Sequence, residues 1–187
     1  MKKFILLASA SLALAACSSN GEDAAPAEGA ESKEAAAATD AAGAATAELA
    51  AMPTDALSGE AAATAMHDRH EWFEELGDAF KVLMRASKSD TPDMAAVKEA
   101  TALAQAKSND LPGLFAPGTG PDAGKTEAKA NIWETPDDFM AKAKDFQLAA
   151  AALNAAAQAD DVEGFKAAFG KTGGTCKACH ETYREED

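Results

Sequence analysis

Aromatic residues, cysteine and positive charge are all scarce in this chain. Phe, Trp and Tyr make up 6% of its 187 residues, and only one is tyrosine. With so few rings to fill a core, the abundant alanine points to helices packed close together. Lys and Arg number 17 against 31 Asp and Glu, a net charge of −14 at pH 7. A surface this acidic excludes nucleic acid as a partner. No apolar run is long enough to span a bilayer, the nearest being residues 4–16. There are three cysteines, too few for a disulfide framework.

Two of those cysteines lie close to the C-terminus, in Cys176-Lys177-Ala178-Cys179-His180. A Cys-x-x-Cys-His run is the attachment signature of a c-type haem. The two thiols become thioethers to the porphyrin edge, and the adjacent imidazole becomes an axial iron ligand. On a helix, positions 176, 179 and 180 share a face, so a single turn can hold the ring edge and present the imidazole nitrogen to the metal. Two other chemistries use similar residues. A thioredoxin-like pair needs a βαβ context, and nothing nearby reads as strand. A structural zinc site needs four ligands. The only other histidines, His67 and His70, lie in a separate segment.

The N-terminus reads as an address. Lys2 and Lys3 form a positive n-region ahead of the apolar stretch, which ends Leu14-Ala15-Ala16-Cys17. This run is similar to the lipobox of bacterial lipoproteins, in which cleavage before the cysteine is followed by its acylation; the other reading is an ordinary secretory signal cut nearby. Several acyl chains on Cys17 would anchor the protein stably to a membrane. Lipid on Cys17 and haem on Cys176 and Cys179 account for all three cysteines. Both modifications place the protein on the periplasmic side of a bacterial envelope, and Ser18 after the cysteine leans towards the outer membrane. Residues 17–58 are rich in Ala, Glu, Asp and Thr and carry few large apolar side chains, so they read as a disordered tether. Its coil span would be roughly 35 Å.

Residues 59–187 are enough for one core, and four helices can be placed in them. In the first, about 60–88, Met66, Arg69, Phe73, Leu76, Phe80 and Leu83 follow three-four spacing. The second spans about 92–108, with Thr91 as N-cap, Pro92 in the first turn and a weaker face of Met94, Val97, Thr101 and Ala104. A long connection rich in Pro and Gly follows. The third helix starts at Thr135-Pro136 and repeats Phe139, Phe146 and Leu153 every seven residues, with Ala143, Ala150 and Ala157 between them. The last begins at Asp160, with Glu163 completing a capping box, and aligns Val162, Phe165, Phe169, Thr172, Cys176, Cys179 and Tyr183. Gly170, Gly173 and Gly174 precede the haem cysteines and admit either a kink or a close backbone approach to a flat cofactor. The fold expected is all-α: an antiparallel four-helix bundle with one long crossover and a C-terminal c-type haem.

A haem motif at the end of a four-helix domain resembles the cytochrome c′ family, the class II cytochromes c. Three places carry the resemblance. Cys176-Lys177-Ala178-Cys179-His180-Glu181-Thr182-Tyr183-Arg184 looks like the family's final helix, Arg69-His70-Glu71-Trp72-Phe73 like its first, and Thr126 to Trp133 like the segment before its third. The resemblance implies one covalent haem c and a homodimer through the first two helices, with Phe80, Val82 and Leu83 compatible with the interface. It also implies that Phe73 stands over the open iron face, where a methionine in some members gives a low-spin electron carrier. Phenylalanine has no lone pair to donate, so His180 is expected to be the one protein ligand. The distal site would then be apolar and open to NO or CO.

Candidate pocket residues around this centre are Arg69, His70, Thr126, Glu127 and Arg184. A buried-face arginine at position 69 needs a partner, either a haem propionate or a nearby acid. Arg184 reads either as a proximal-side charge or as a solvated helix end. His70, one turn before Phe73, could reach the iron in a bis-histidine centre. The function expected is binding of NO or CO at a five-coordinate haem, with a redox role and a basic redox partner protein also open. The alternative is a low-spin periplasmic electron carrier. No enzyme activity is expected, because a peroxidase needs distal acid–base groups and only His70 could serve.

Overall fold

The computed structural model describes residues 47–185. Its main helices are α1 (Gly59–Ser87), α2 (Met94–Asp110), α4 (Pro136–Gln158) and α5 (Val162–Tyr183), with a single-turn α3 (Asn131–Glu134) in the long connection and a 3-10 turn (Leu111–Leu114) after α2. α1 packs on α2 and α5, and α4 on the same two, which closes an antiparallel four-helix bundle. The described residues contain no strand, only one isolated antiparallel bridge between Ala128 and Arg184.

Heptad spacing sets the core. On α1 the buried positions Ala62, Arg69, Leu76 and Leu83 recur every seven residues. On α4 all six expected positions, Phe139, Ala143, Phe146, Ala150, Leu153 and Ala157, are buried. Alanine at alternate layers lets a neighbouring helix approach closely, while the rings fill the remaining space. A polar ladder runs beside this apolar core between α2 and α4. Thr101 Oγ1 donates to Asn154 Oδ1 (2.9 Å), and Asn154 Nδ2 donates to Gln105 Oε1. Fully buried Gln147 donates Nε2 to Asn109 Oδ1 at 2.7 Å. Each rung is satisfied only at one offset of the two helices, so the ladder fixes their register.

Two helix starts differ from expectation. α2 is capped by Asp93, whose Oδ1 accepts from Ala95 and Ala96 N–H at 3.0 and 3.2 Å, so Pro92 lies before the helix. α5 is capped by Asp161, which accepts from Gly164 N–H at 2.9 Å. Asp160 takes a left-handed φ of 56° in the turn instead. In both places the carboxylate directly before the first apolar residue wins the cap. α5 runs without a break through Gly170, Gly173 and Gly174. The expected dimer patch is partly absorbed by the core: Leu83 is fully buried, and Phe80 lies against Phe146 and Phe169. Met84 on α1 and Leu103 on α2 are the exposed large apolar residues of those helices.

The largest departure is at the N-terminal side. Residues 47–58, assigned to the tether from composition, lie as an extended strap against the domain. Ala47 O accepts from Gln147 Nε2 (2.8 Å), Ala50 N–H donates to Asn109 O (2.8 Å) and Leu57 N–H to Pro117 O (2.8 Å). Leu49 and Met52, two of the segment's few large apolar residues, pack on the core. Residues 17–46 lie outside the described residues. Gly118 permits the strap's final contact. Its φ is +81°, and a Cβ there would stand 2.1 Å from Leu57 O. Gly118→Ala should therefore cost about 1–2 kcal/mol in urea unfolding, and limited proteolysis should then cut within residues 47–58 faster than in the parent.

Candidate functional site

Cys176 and Cys179 are half-buried on the inner side of α5 and pack against one core cluster that includes Leu76, Phe115, Phe139 and Tyr183. Neither is in a disulfide. Burial raises both pKa values, that of Cys179 to about 11, where nearby Lys142 lowers it and Cys176 and Asp138 raise it. A redox-active cysteine needs the thiolate, which burial of this kind disfavours. Among the described residues no three His, Cys, Asp or Glu side chains are arranged to hold a metal ion by themselves. Two protonated thiols on one face, with an imidazole beside the second, suit thioether attachment of a porphyrin. His180 lies at the surface of α5. Desolvation and the positive Arg184 lower its pKa, and Glu127 opposes them.

Phe73 packs on the same cluster as the two cysteines. Its ring stands edge-on to Trp72 (4.9 Å between centroids) and to Phe115 (6.4 Å). Phe115 in turn meets Phe139 at 4.9 Å, and Phe139 meets Tyr183 at 5.3 Å. The wall between α1 and the end of α5 is thus aromatic. Trp133 completes it from the long connection, donating Nε1–H to Phe115 O at 3.0 Å. Tyr183 anchors the other end by donating its hydroxyl to Asp138 Oδ2 at 2.7 Å.

Arg69 lies one turn before Phe73 and is 4% exposed. Among the described residues its partners are neutral oxygens and no carboxylate. Nη1 donates to Thr119 Oγ1 (2.9 Å) and Leu114 O (3.4 Å), and Nη2 to Thr119 O (2.8 Å) and Thr126 Oγ1 (3.0 Å). The guanidinium also sits 4.9 Å over the Phe115 ring. Four neutral oxygens and a ring face compensate the cation, and burial lowers its pKa. Thr119, which the sequence reading missed, is fully buried and donates Oγ1–H to Ala116 O (2.8 Å), which closes the loop around the cation. Its single-letter context, a Gly-Thr-Gly turn, carries no signal of this role.

The remaining candidates separate. Thr126 joins Arg69, and Glu127 Oε2 accepts from Arg184 Nε at 2.7 Å. His70 does not join the group: it is exposed and faces Glu74 Oε1 at 3.5 Å on the outer side of α1. Trp72 carries Lys107 Nζ over its ring at 4.8 Å, and Lys107 also pairs with Glu75 at 2.6 Å. This cluster buttresses Phe73 from outside.

A helical bundle with Cys176, Cys179 and His180 within five residues of its final helix defines a c-type haem protein of the four-helix class. Comparison with known proteins names the family. The chain matches the cytochrome C′ family profile over residues 64–184 and belongs to that family. It therefore carries one covalently bound haem c. Cytochrome c′ of Cereibacter sphaeroides is 40% identical over 139 residues, spanning 73% of this chain and 92% of that protein. A nitric oxide complex of a variant cytochrome c prime from Alcaligenes xylosoxidans superposes with a TM-score of 0.61 at 30% identity, covering 71% of this chain and all of that one. A cytochrome c′ with ligand-controlled dimer dissociation gives 0.63 at 28% identity, covering 69% of this chain and all of that one.

Replacing Arg69 by methionine would strand four acceptors around an apolar side chain. Arg69→Met should lower unfolding free energy by about 2–4 kcal/mol, measured by urea titration of the purified protein.

Proposed function

We propose that this protein binds NO or CO at a high-spin haem attached to Cys176 and Cys179, with His180 as the one protein ligand to iron. When bound, the haem supplies the iron at which a diatomic ligand coordinates. The chain's own residues do the rest. The position of Phe73 carries the reading, because it packs on the same cluster as both cysteines and offers no donor atom. Its aromatic neighbours Trp72 and Phe115 leave the distal side apolar. Such a wall admits a neutral diatomic and gives no hydrogen bond to a polar one, so O2 is selected against. Of the other histidines, His70 faces Glu74 on the outer side of α1. The nitric oxide complex among the structural relatives supports the same ligand class.

Ferrous protein should give a five-coordinate absorption spectrum and bind CO without displacing a side chain. A low-spin spectrum with a fixed sixth ligand would overturn the reading. Phe73→Met introduces a thioether donor at the roof. It should convert the ferrous spectrum to low-spin and weaken CO binding by about tenfold, ~1.4 kcal/mol.

The same proposal places the protein on the periplasmic side of the envelope through acylated Cys17, as a non-enzymatic ligand-binding protein. Residues 1–46 lie outside the described residues, and among those described no helix is long and apolar enough to cross a membrane. Detergent phase partitioning checks the anchor: the parent should enter the detergent phase and Cys17→Ala the aqueous phase. A homodimer through α1 and α2 would use Met84 and Leu103, the exposed large apolar residues of those helices.

A further inference from the structure

At the end of α5 the chain changes direction and pairs with the long connection. Arg184 is extended (φ −112°, ψ 135°), and its N–H closes the last helical turn on His180 O at 3.0 Å. Lys129 N–H then donates to Tyr183 O (3.0 Å), and Glu185 N–H to Glu127 O (2.8 Å). This short pairing sets the Glu127 and Arg184 side chains together, with Nε 2.7 Å from Oε2. The strip that carries Glu127 is itself held. Thr126 Oγ1 accepts from both Arg69 Nη2 (3.0 Å) and Ala128 N–H (3.2 Å). Two consecutive residues thus bond to two arginines: Thr126 to the one beside Phe73, Glu127 to the one beside His180.

The ion pair is half-exposed, with side-chain accessibilities of 44% and 54%. Such pairs contribute little to stability, so its effect has to be looked for elsewhere. Position is the alternative. Arg184 stands one turn beyond the iron-binding imidazole, and an unconstrained arginine has many rotamers. Backbone pairing on one side and a carboxylate on the other restrict that choice.

We infer that Glu127 is a positioning residue for the proximal side of the haem: it holds the Arg184 guanidinium in place and so sets the charge experienced at His180 and the iron. The inference rests on His180 being the iron ligand. It assigns to the connection before α3 a part in tuning the centre, distinct from its part in roofing it.

The test is a double-mutant cycle on the holoprotein, read as the ferrous-to-ferric ratio at fixed applied potential. In the parent, Glu127→Gln removes a negative charge, which raises that ratio, and loosens Arg184, which lowers it, so the two effects oppose each other. Arg184→Gln should lower it. In the Arg184→Gln background only the charge effect remains, so adding Glu127→Gln should raise the ratio about two- to fivefold, at least twice the shift seen in the parent. Equal shifts in the two backgrounds would mean that Glu127 acts as an isolated charge, and the inference falls; no shift in either background also overturns it. Helical circular dichroism should be unchanged throughout, because the pair is exposed. The parent absorption spectrum tests the underlying ligation separately. An error there alters the spectrum of the parent before any substitution, whereas failure of the present inference leaves that spectrum five-coordinate with shifts that add.

Discussion

The haem end of this bundle depends on one buried cation. Placing a guanidinium in a protein interior is costly unless its N–H groups find acceptors. Arg69 finds four, all neutral, and all supplied by the connection between α2 and α4. The requirement works in both directions. The connection has no regular structure between Phe115 and Ala130, and its course is set largely by what the arginine needs. Leu114, Thr119 and Thr126, twelve residues apart in sequence, converge on one planar group. That convergence places Phe115 over the guanidinium and against Phe73, and so shapes the aromatic wall at the haem end.

Elsewhere the bundle is held by simpler means. Alanine and aromatic layers alternate on α4, and a ladder of amides and hydroxyls fixes α4 against α2. The two devices divide the work. Apolar burial supplies the driving force without direction, and the ladder excludes the shifted packings that so uniform an alanine surface would tolerate.

The parts legible in the sequence are those governed by local spacing. The heptads of α1 and α4 appear in the structure where they were read, because helical periodicity puts residues seven apart on one face whatever surrounds them. The haem motif is legible for the same reason, since all its ligands fall within five residues. Helix starts were less clear. At Thr91-Pro92-Asp93 and Asp160-Asp161 two capping residues compete, and only the backbone conformation decides. Non-local partners were not legible. An arginine on a buried seam announces that it needs acceptors, but not that a threonine fifty residues away provides them. His70 illustrates the converse: its sequence distance from Phe73 suited the pocket, yet the helix turns it to the outer side. Composition also misled at residues 47–58. Leu49, Met52 and Leu57 are too few to predict a folded segment, and the strap is held mostly by backbone hydrogen bonds to amide side chains and carbonyls that composition does not count.

The strap also determines where mechanical load enters the domain. A pull on the chain at Ala47 would be borne first by Gln147 in the middle of α4 and next, through Ala50, by Asn109 at the end of α2. The first turn of α1 is shielded from it. Drag on the domain would thus be resisted by the interior of the bundle, and the helix that bears Arg69 and Phe73 would feel none of it until the strap had peeled away.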